Sequence, residues 1–141
     1  MAGYSGTPLP RKLGIRPGAR LALVGAPEGF ERTLGPLPEG VRVARPGRGH
    51  ADVAVYFARE RRALERRIAS LERRIEPDGA LWVAWPKRAS RVPTDMSEDV
   101  VRDVALPRGL VDNKVCAIDE TWSGLRLVVR SELRAARAPG P

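Results

Sequence analysis

Asp52–Lys87 runs DVAVYFARERRALERRIASLERRIEPDGALWVAWPK, and its hydrophobic period changes twice. Val53–Phe57 is rich in β-branched and aromatic residues and is too short for a membrane span, which suits a strand buried on both faces. Leu64, Ile68, Leu71 and Ile75 follow at spacings of four, three and four, so at 100° per residue they share one narrow arc of a helix. Pro77-Asp78-Gly79 is expected to end that helix and turn the chain, proline by breaking the hydrogen-bond ladder and glycine by accepting a positive φ. Ala80–Trp85 returns as a strand that is apolar at every position. Strand, crossover helix and second apolar strand make a right-handed βαβ unit, the repeat of a parallel sheet covered by helices.

Outward from this unit, Arg20–Val24 predicts a first buried strand, Val41–Ala44 an edge strand, and the stretch before the stop at Pro107 and Gly109 a helix with Met96, Val100, Val101 and Val104 inward. Asp95 or Thr94 is expected to cap that helix, with Glu98 completing a capping box. Leu110–Ile118 and Gly124–Arg130 are strands joined by a link too short for a crossover, so they form an antiparallel hairpin. The expected fold is α/β, three-layer and Rossmann-like, with a mostly parallel sheet of about six strands ending in an antiparallel hairpin. Residues 1–19 read as an N-terminal arm with one helical turn at Leu9–Leu13, residues 20–133 as a single α/β domain, and residues 134–141 as a disordered tail.

The chain has 141 residues, enough to bury about 70% of its unfolded surface in one domain. One cysteine, Cys116, and one histidine, His50, exclude a disulfide framework or a zinc cluster within a single chain and fit a reducing, cytoplasmic setting. No signal-like or spanning apolar run argues for a membrane. The net charge of +8 is carried mainly by arginine. Residues 1–20 hold Arg11, Lys12, Arg16 and Arg20 with no acid, while Asp95–Asp103 holds four acids against one arginine.

The order of elements, with IEPDGALWVAWPK, an acid-capped helix and GLVDNKVCAIDETWSGLRLVVR, resembles the C-terminal half of a class I S-adenosylmethionine-dependent methyltransferase. Across its whole length the chain also resembles a family of small uncharacterised bacterial proteins classed as a domain of unknown function, through GYSGTPL, LGIRPG, APEGF, PDGALWVAWPK and GLVDNKVCAIDE. The methyltransferase resemblance implies a glycine-rich cofactor loop after the first strand and an acid at the end of the second strand to hold the ribose. Here that loop is VGAPEGF, and Ala44-Arg45 supplies no carboxylate; Glu28 is the acid that can substitute. One helix and one strand between the second and third strands are missing relative to those enzymes.

Ligands of open α/β sheets lie beyond the strand carboxyl ends, where strand order reverses. That places a candidate crevice at Gly25, Ala26, Glu28, Gly29, Phe30, Trp85, Lys87, Arg88 and Trp122. Lys87 and Arg88 can hold an anion, Trp85 or Trp122 can stack on a flat ring, and Tyr4 and Ser5 can fold over the crevice. Both tryptophans can equally close the end of the core. Arg59, Arg62, Arg66 and Arg73 fall opposite the apolar stripe of the central helix and form a basic ridge, which is either solvated or a phosphate-contacting, nucleic-acid-binding face, flanked by Glu65 and Glu72. His50 reads as a surface histidine and Cys116 as an inert core residue. The leading reading is a non-catalytic, methyltransferase-like binding or regulatory module with no catalytic residue, metal or cofactor, serving a small ligand or a protein partner. The alternative is a divergent S-adenosylmethionine-dependent transferase using VGAPEGF, or a nucleic-acid-binding protein using the ridge. Self-association through the Val41–Ala44 edge is also expected to be open to the chain.

Overall fold

The computed structural model describes residues 6–44 and 49–137; Tyr4, Ser5 and Arg45 lie outside them. Six strands form one sheet in the order β2-β1-β3-β4-β6-β5. They are β1 Arg20–Val24, β2 Arg42–Val43, β3 Ala51–Phe57, β4 Ile75–Pro86, β5 Leu110–Ala117 and β6 Trp122–Val129. β2, β1, β3 and β4 run parallel, and β6 is antiparallel to both its neighbours, β4 and β5. This is the α/β arrangement expected from the alternating apolar strands, with the terminal hairpin closing one side.

The helices are α1 Leu9–Lys12, α2 Phe30–Leu34, α3 Arg61–Arg74 and α4 Glu98–Ala105. Leu64, Ile68 and Leu71 of α3 and Val101 and Ala105 of α4 are buried on one face of the sheet, against Tyr56, Leu81, Val83, Trp85, Leu125 and Leu127. Packing of that periodic stripe, more than helix propensity, holds α3 in place. Arg108, just after α4, donates to both carboxylate oxygens of Glu72 on α3, at 2.9 and 2.8 Å, and ties the two helices together.

The other face departs from expectation. Leu13 and Ile15, in the segment that reads as an arm, are buried with Leu21, Phe30, Val53, Val55 and Trp82. The Trp82 indole Nε1–H donates to the Leu13 carbonyl at 2.9 Å, which satisfies the one polar atom of a fully buried ring. Composition signalled a loop correctly, yet this loop is a covering layer. Leu13, Ile15 and Pro10 seat it, with the Lys12 ammonium donating to the Ala117 carbonyl at 2.9 Å and the Lys114 ammonium to the Lys12 carbonyl at 3.0 Å.

Gly79 has no positive φ. Its role is close approach, since a Cβ there would sit 2.7 Å from the Asp52 carbonyl. Ile75–Gly79 belongs to β4 as an irregularity, in which the pairing steps from Ala51–Ile75 to Val53–Ala80. The α4 cap is Ser97, whose Oγ accepts from the Val100 N–H at 3.2 Å. Asp95 serves α3 instead: its Oδ1 accepts from the Arg61 N–H at 2.7 Å, and Thr94 Oγ1 donates to the Arg59 carbonyl at 2.6 Å. The Thr94-Asp95 pair therefore clamps the start of the central helix from 34 residues away.

Candidate functional site

Strand order reverses between β1 and β3, because the chain leaves β1 for β2 on one side and returns to β3 on the other. Beyond their carboxyl ends lie Gly25 and Ala58. Gly25 has φ 70°, and a Cβ on it would lie 3.2 Å from the Phe57 carbonyl. Positive φ and close backbone approach each favour glycine here. Gly29 ends the loop as the cap of α2 with φ 80°, and Gly25, Glu28 and Gly29 are exposed while Ala26 is half-buried.

Phe30 does not enter a crevice. It is buried and meets Phe57 edge-on at 4.8 Å between ring centroids, and Phe57 meets Trp122 edge-on at 5.1 Å. The three rings form the floor under the Gly25–Gly29 loop. Trp85 is buried in the cluster on the opposite face of the sheet, so the structure separates it from Trp122. Lys87 is half-buried and its N–H donates to the Thr121 carbonyl at 2.8 Å, while Arg88 is exposed in the turn after β4. The Asp119 carboxylate accepts from the N–H groups of Thr121 and Trp122, at 2.8 Å each, which shapes the hairpin turn beside Trp122. The sheet end thus gathers Gly25–Phe30 and Trp122 around one aromatic floor, with Lys87 and Arg88 beyond β4.

An adenosylmethionine-type group fits part of this arrangement. The loop after β1 has glycine at its tightest point and an open backbone. The β2 end at Ala44 carries no acid, and exposed Glu28 and Glu60 are the carboxylates on the neighbouring loop and at the cap of α3.

Arg62, Arg66 and Arg73 on α3, and Arg59 just before its cap, are all exposed. Glu65 pairs with Arg61 at 3.1 Å and Glu72 with Arg108 at 2.8 Å, so the two acids expected to flank the ridge are directed elsewhere. Arg67 lies 5.8 Å from the Tyr56 ring centroid, and burial raises the Tyr56 pKa while Arg67 lowers it. His50 is exposed and sits 3.3 Å from Glu76. Cys116 is half-buried; burial raises its thiol pKa, and Lys12 and Lys114 pull it down. Among the described residues there is no cluster of metal-ligating side chains, and no helix is long and apolar enough to cross a membrane.

Known structures place this architecture among methyltransferase folds. The chain is similar to a putative type 11 methyltransferase from Sulfolobus solfataricus, at 13% identity and TM-score 0.61, over 87% of this chain and 90% of that one. It is similar to the ribosomal protein L11 methylase of Lactobacillus delbrueckii subsp. bulgaricus at 12% identity and TM-score 0.58, over 86% and 75%. TrmN from Thermus thermophilus matches at 13% identity and TM-score 0.56, over 86% of this chain but only 47% of its own. The chain therefore spans about half the length of TrmN. No family model and no curated protein matches it, so the likeness to a family of small bacterial proteins rests on the sequence blocks alone.

Proposed function

We propose that the chain is a divergent adenosylmethionine-binding domain of the methyltransferase class, with its ligand on the Gly25–Phe30 loop. The switch-point geometry carries this reading: at Gly25 the backbone takes a positive φ and passes so near the Phe57 carbonyl that a Cβ there would lie 3.2 Å from it, just where open α/β sheets receive ligands. The likeness to methyltransferase folds supports it over the non-catalytic module. Adenosylmethionine supplies an electrophilic methyl group on a sulfonium. This chain's own part is to hold the ligand: the loop backbone accommodates it, the Phe30–Phe57–Trp122 floor keeps water from beneath, and Glu28 is the acid offered to its polar end.

Titration calorimetry with adenosylhomocysteine tests the proposal. Saturable binding is expected, weakened at least tenfold by Gly25→Val and several-fold by the exposed Glu28→Gln, which leaves the fold intact. No heat at millimolar ligand overturns it. Binding with no transfer of a labelled methyl group to cellular RNA or protein returns the non-catalytic module.

One observation favours a second reading, nucleic-acid binding through α3. With Glu65 and Glu72 paired elsewhere, Arg59, Arg62, Arg66 and Arg73 have no carboxylate partner among the described residues. Four phosphate contacts predict that the logarithm of affinity for duplex DNA falls with a slope of about −3.6 against log salt. A flat dependence rules this out.

A further inference from the structure

At the opposite end of the sheet, below the amino ends of β1, β3 and β4, a cavity of about 440 Å³ is lined by Gly14, Arg16, Gly18, Asp52, Gly79 and Arg126, among others. Its volume is in the range of small-molecule sites. Arg126 is out of pattern for its strand. Gly124, Arg126 and Val128 alternate onto the face that holds Trp82, the cross-strand neighbour of Arg126, and an apolar residue would be expected there.

Arg126 is half-buried, and among the described residues its one hydrogen bond is to a neutral group, the Asn113 side-chain oxygen at 3.1 Å. Burial and then the nearby charge of Arg16 both press its pKa below the usual guanidinium value. Two guanidiniums thus face one cavity and repel each other, and neither has an ion-pairing carboxylate among the described residues. Asp52 lines the cavity, but its Oδ2 accepts from the Arg20 N–H at 2.9 Å, and Asp78 is exposed at the mouth. A half-buried charge without a partner is costly, and an anion with several acceptor oxygens between the two arginines removes that cost.

We propose that this cavity binds a phosphate-type anion between the guanidiniums of Arg16 and Arg126. Two guanidiniums lining one cavity match a tetrahedral dianion, which presents acceptors on several sides, better than a planar carboxylate. The rim at Gly14, Gly18 and Gly79 carries no side chains, which leaves room for the rest of a phosphate monoester. The site is independent of the adenosylmethionine-type site, which lies at the other end of the strands.

The test is thermal denaturation of the full chain in inorganic phosphate, in ribose 5-phosphate, and in chloride at matched ionic strength. Phosphate also stabilises proteins non-specifically by exclusion from their surface, so each shift is read against Arg16→Met in the same buffer. Arg16 is exposed, so its replacement is expected to leave the fold undisturbed. The wild type is expected to show a saturable rise in Tm with phosphate, and Arg16→Met to need at least fivefold more phosphate for the same rise. Arg126→Met should lose the saturable rise while melting no lower than the wild type in chloride, since it removes a repelled charge. A larger shift with ribose 5-phosphate assigns the site to a phosphate ester, and equal shifts assign it to free phosphate. A wild-type rise that does not saturate, or one that Arg16→Met keeps in full, overturns the proposal. Adenosylhomocysteine titration of Arg16→Met should match the wild type, so the two sites fail separately.

Discussion

The two faces of the sheet are covered by different means. One carries α3 and α4, whose apolar stripes recur at helical spacing and bury Leu64, Ile68, Leu71, Val101 and Ala105. The other carries a four-residue helix, a five-residue helix and irregular chain, yet Leu13, Ile15, Phe30 and Leu34 are buried as deeply. Regular secondary structure is therefore not a condition for closing a core here. What matters is apolar area removed from water, with each buried polar group given a partner.

The comparison breaks most directly at Leu13. If the N-terminal segment is a true layer of the core, Leu13→Ala should cost about 3 kcal/mol in chemical denaturation, as much as Leu64→Ala on the helical face. A loss below about 0.5 kcal/mol would make the segment a surface arm. Trp82→Phe sharpens the same point. It leaves the Leu13 carbonyl without its donor and a gap beside it, for an expected loss of about 2 kcal/mol. The helical face has its own long-range tie, of smaller effect. Asp95→Ala frees the Arg61 N–H at the start of α3 and should cost about 1 kcal/mol, although Asp95 lies far from α3 in sequence.

The smallest effect expected is one of pH. The Cys116 thiol has its pKa raised by burial beneath the N-terminal segment. Because the folded value lies above the unfolded one, its contribution is complete below the unfolded value, about 8.5, and is lost as pH rises through the folded value. Thermal stability should therefore change little through this group from pH 7 to 8 and decline above about pH 9, with Cys116→Ala flattening that decline. An equal decline in Cys116→Ala would move the effect to Tyr56, which burial shifts in the same direction.

The contrast between faces also explains what could be read in advance. The β3–α3–β4 unit was legible because burial imposes a period on sequence: apolar residues at four, three and four, then unbroken apolar strands. The hairpin was legible because too few residues separate its strands. The seating of Leu13 was not, since a single turn has no period and its anchor, Trp82, is 69 residues away. Asp95 illustrates the same limit at the scale of a cap. Its spacing to Glu98 fits a capping box, while its actual partner is set by tertiary packing. At the candidate site the position of the Gly25–Phe30 loop followed from topology. The division of Trp85 and Trp122 between faces needed the register of β4 against β6, where Trp85 opposes Ser123 and Pro86 opposes Trp122. Arg126 did leave a trace, a charge at an inward place in an alternating strand.

The sheet also ends in two unlike margins. β2 is two residues long and joins β1 through two paired positions, so it offers an incoming strand almost no ladder to extend. β5 is eight residues long, but its pairing with β6 is irregular between Asp112 and Lys114, and Asn113, Lys114 and Val115 are exposed. A lysine at an irregular edge opposes strand addition, because docking would strip water from a charge and meet backbone groups out of step. One margin of the sheet thus resists extension by its shortness and the other by charge and a broken rhythm, two unlike features that each act against fibre-like stacking.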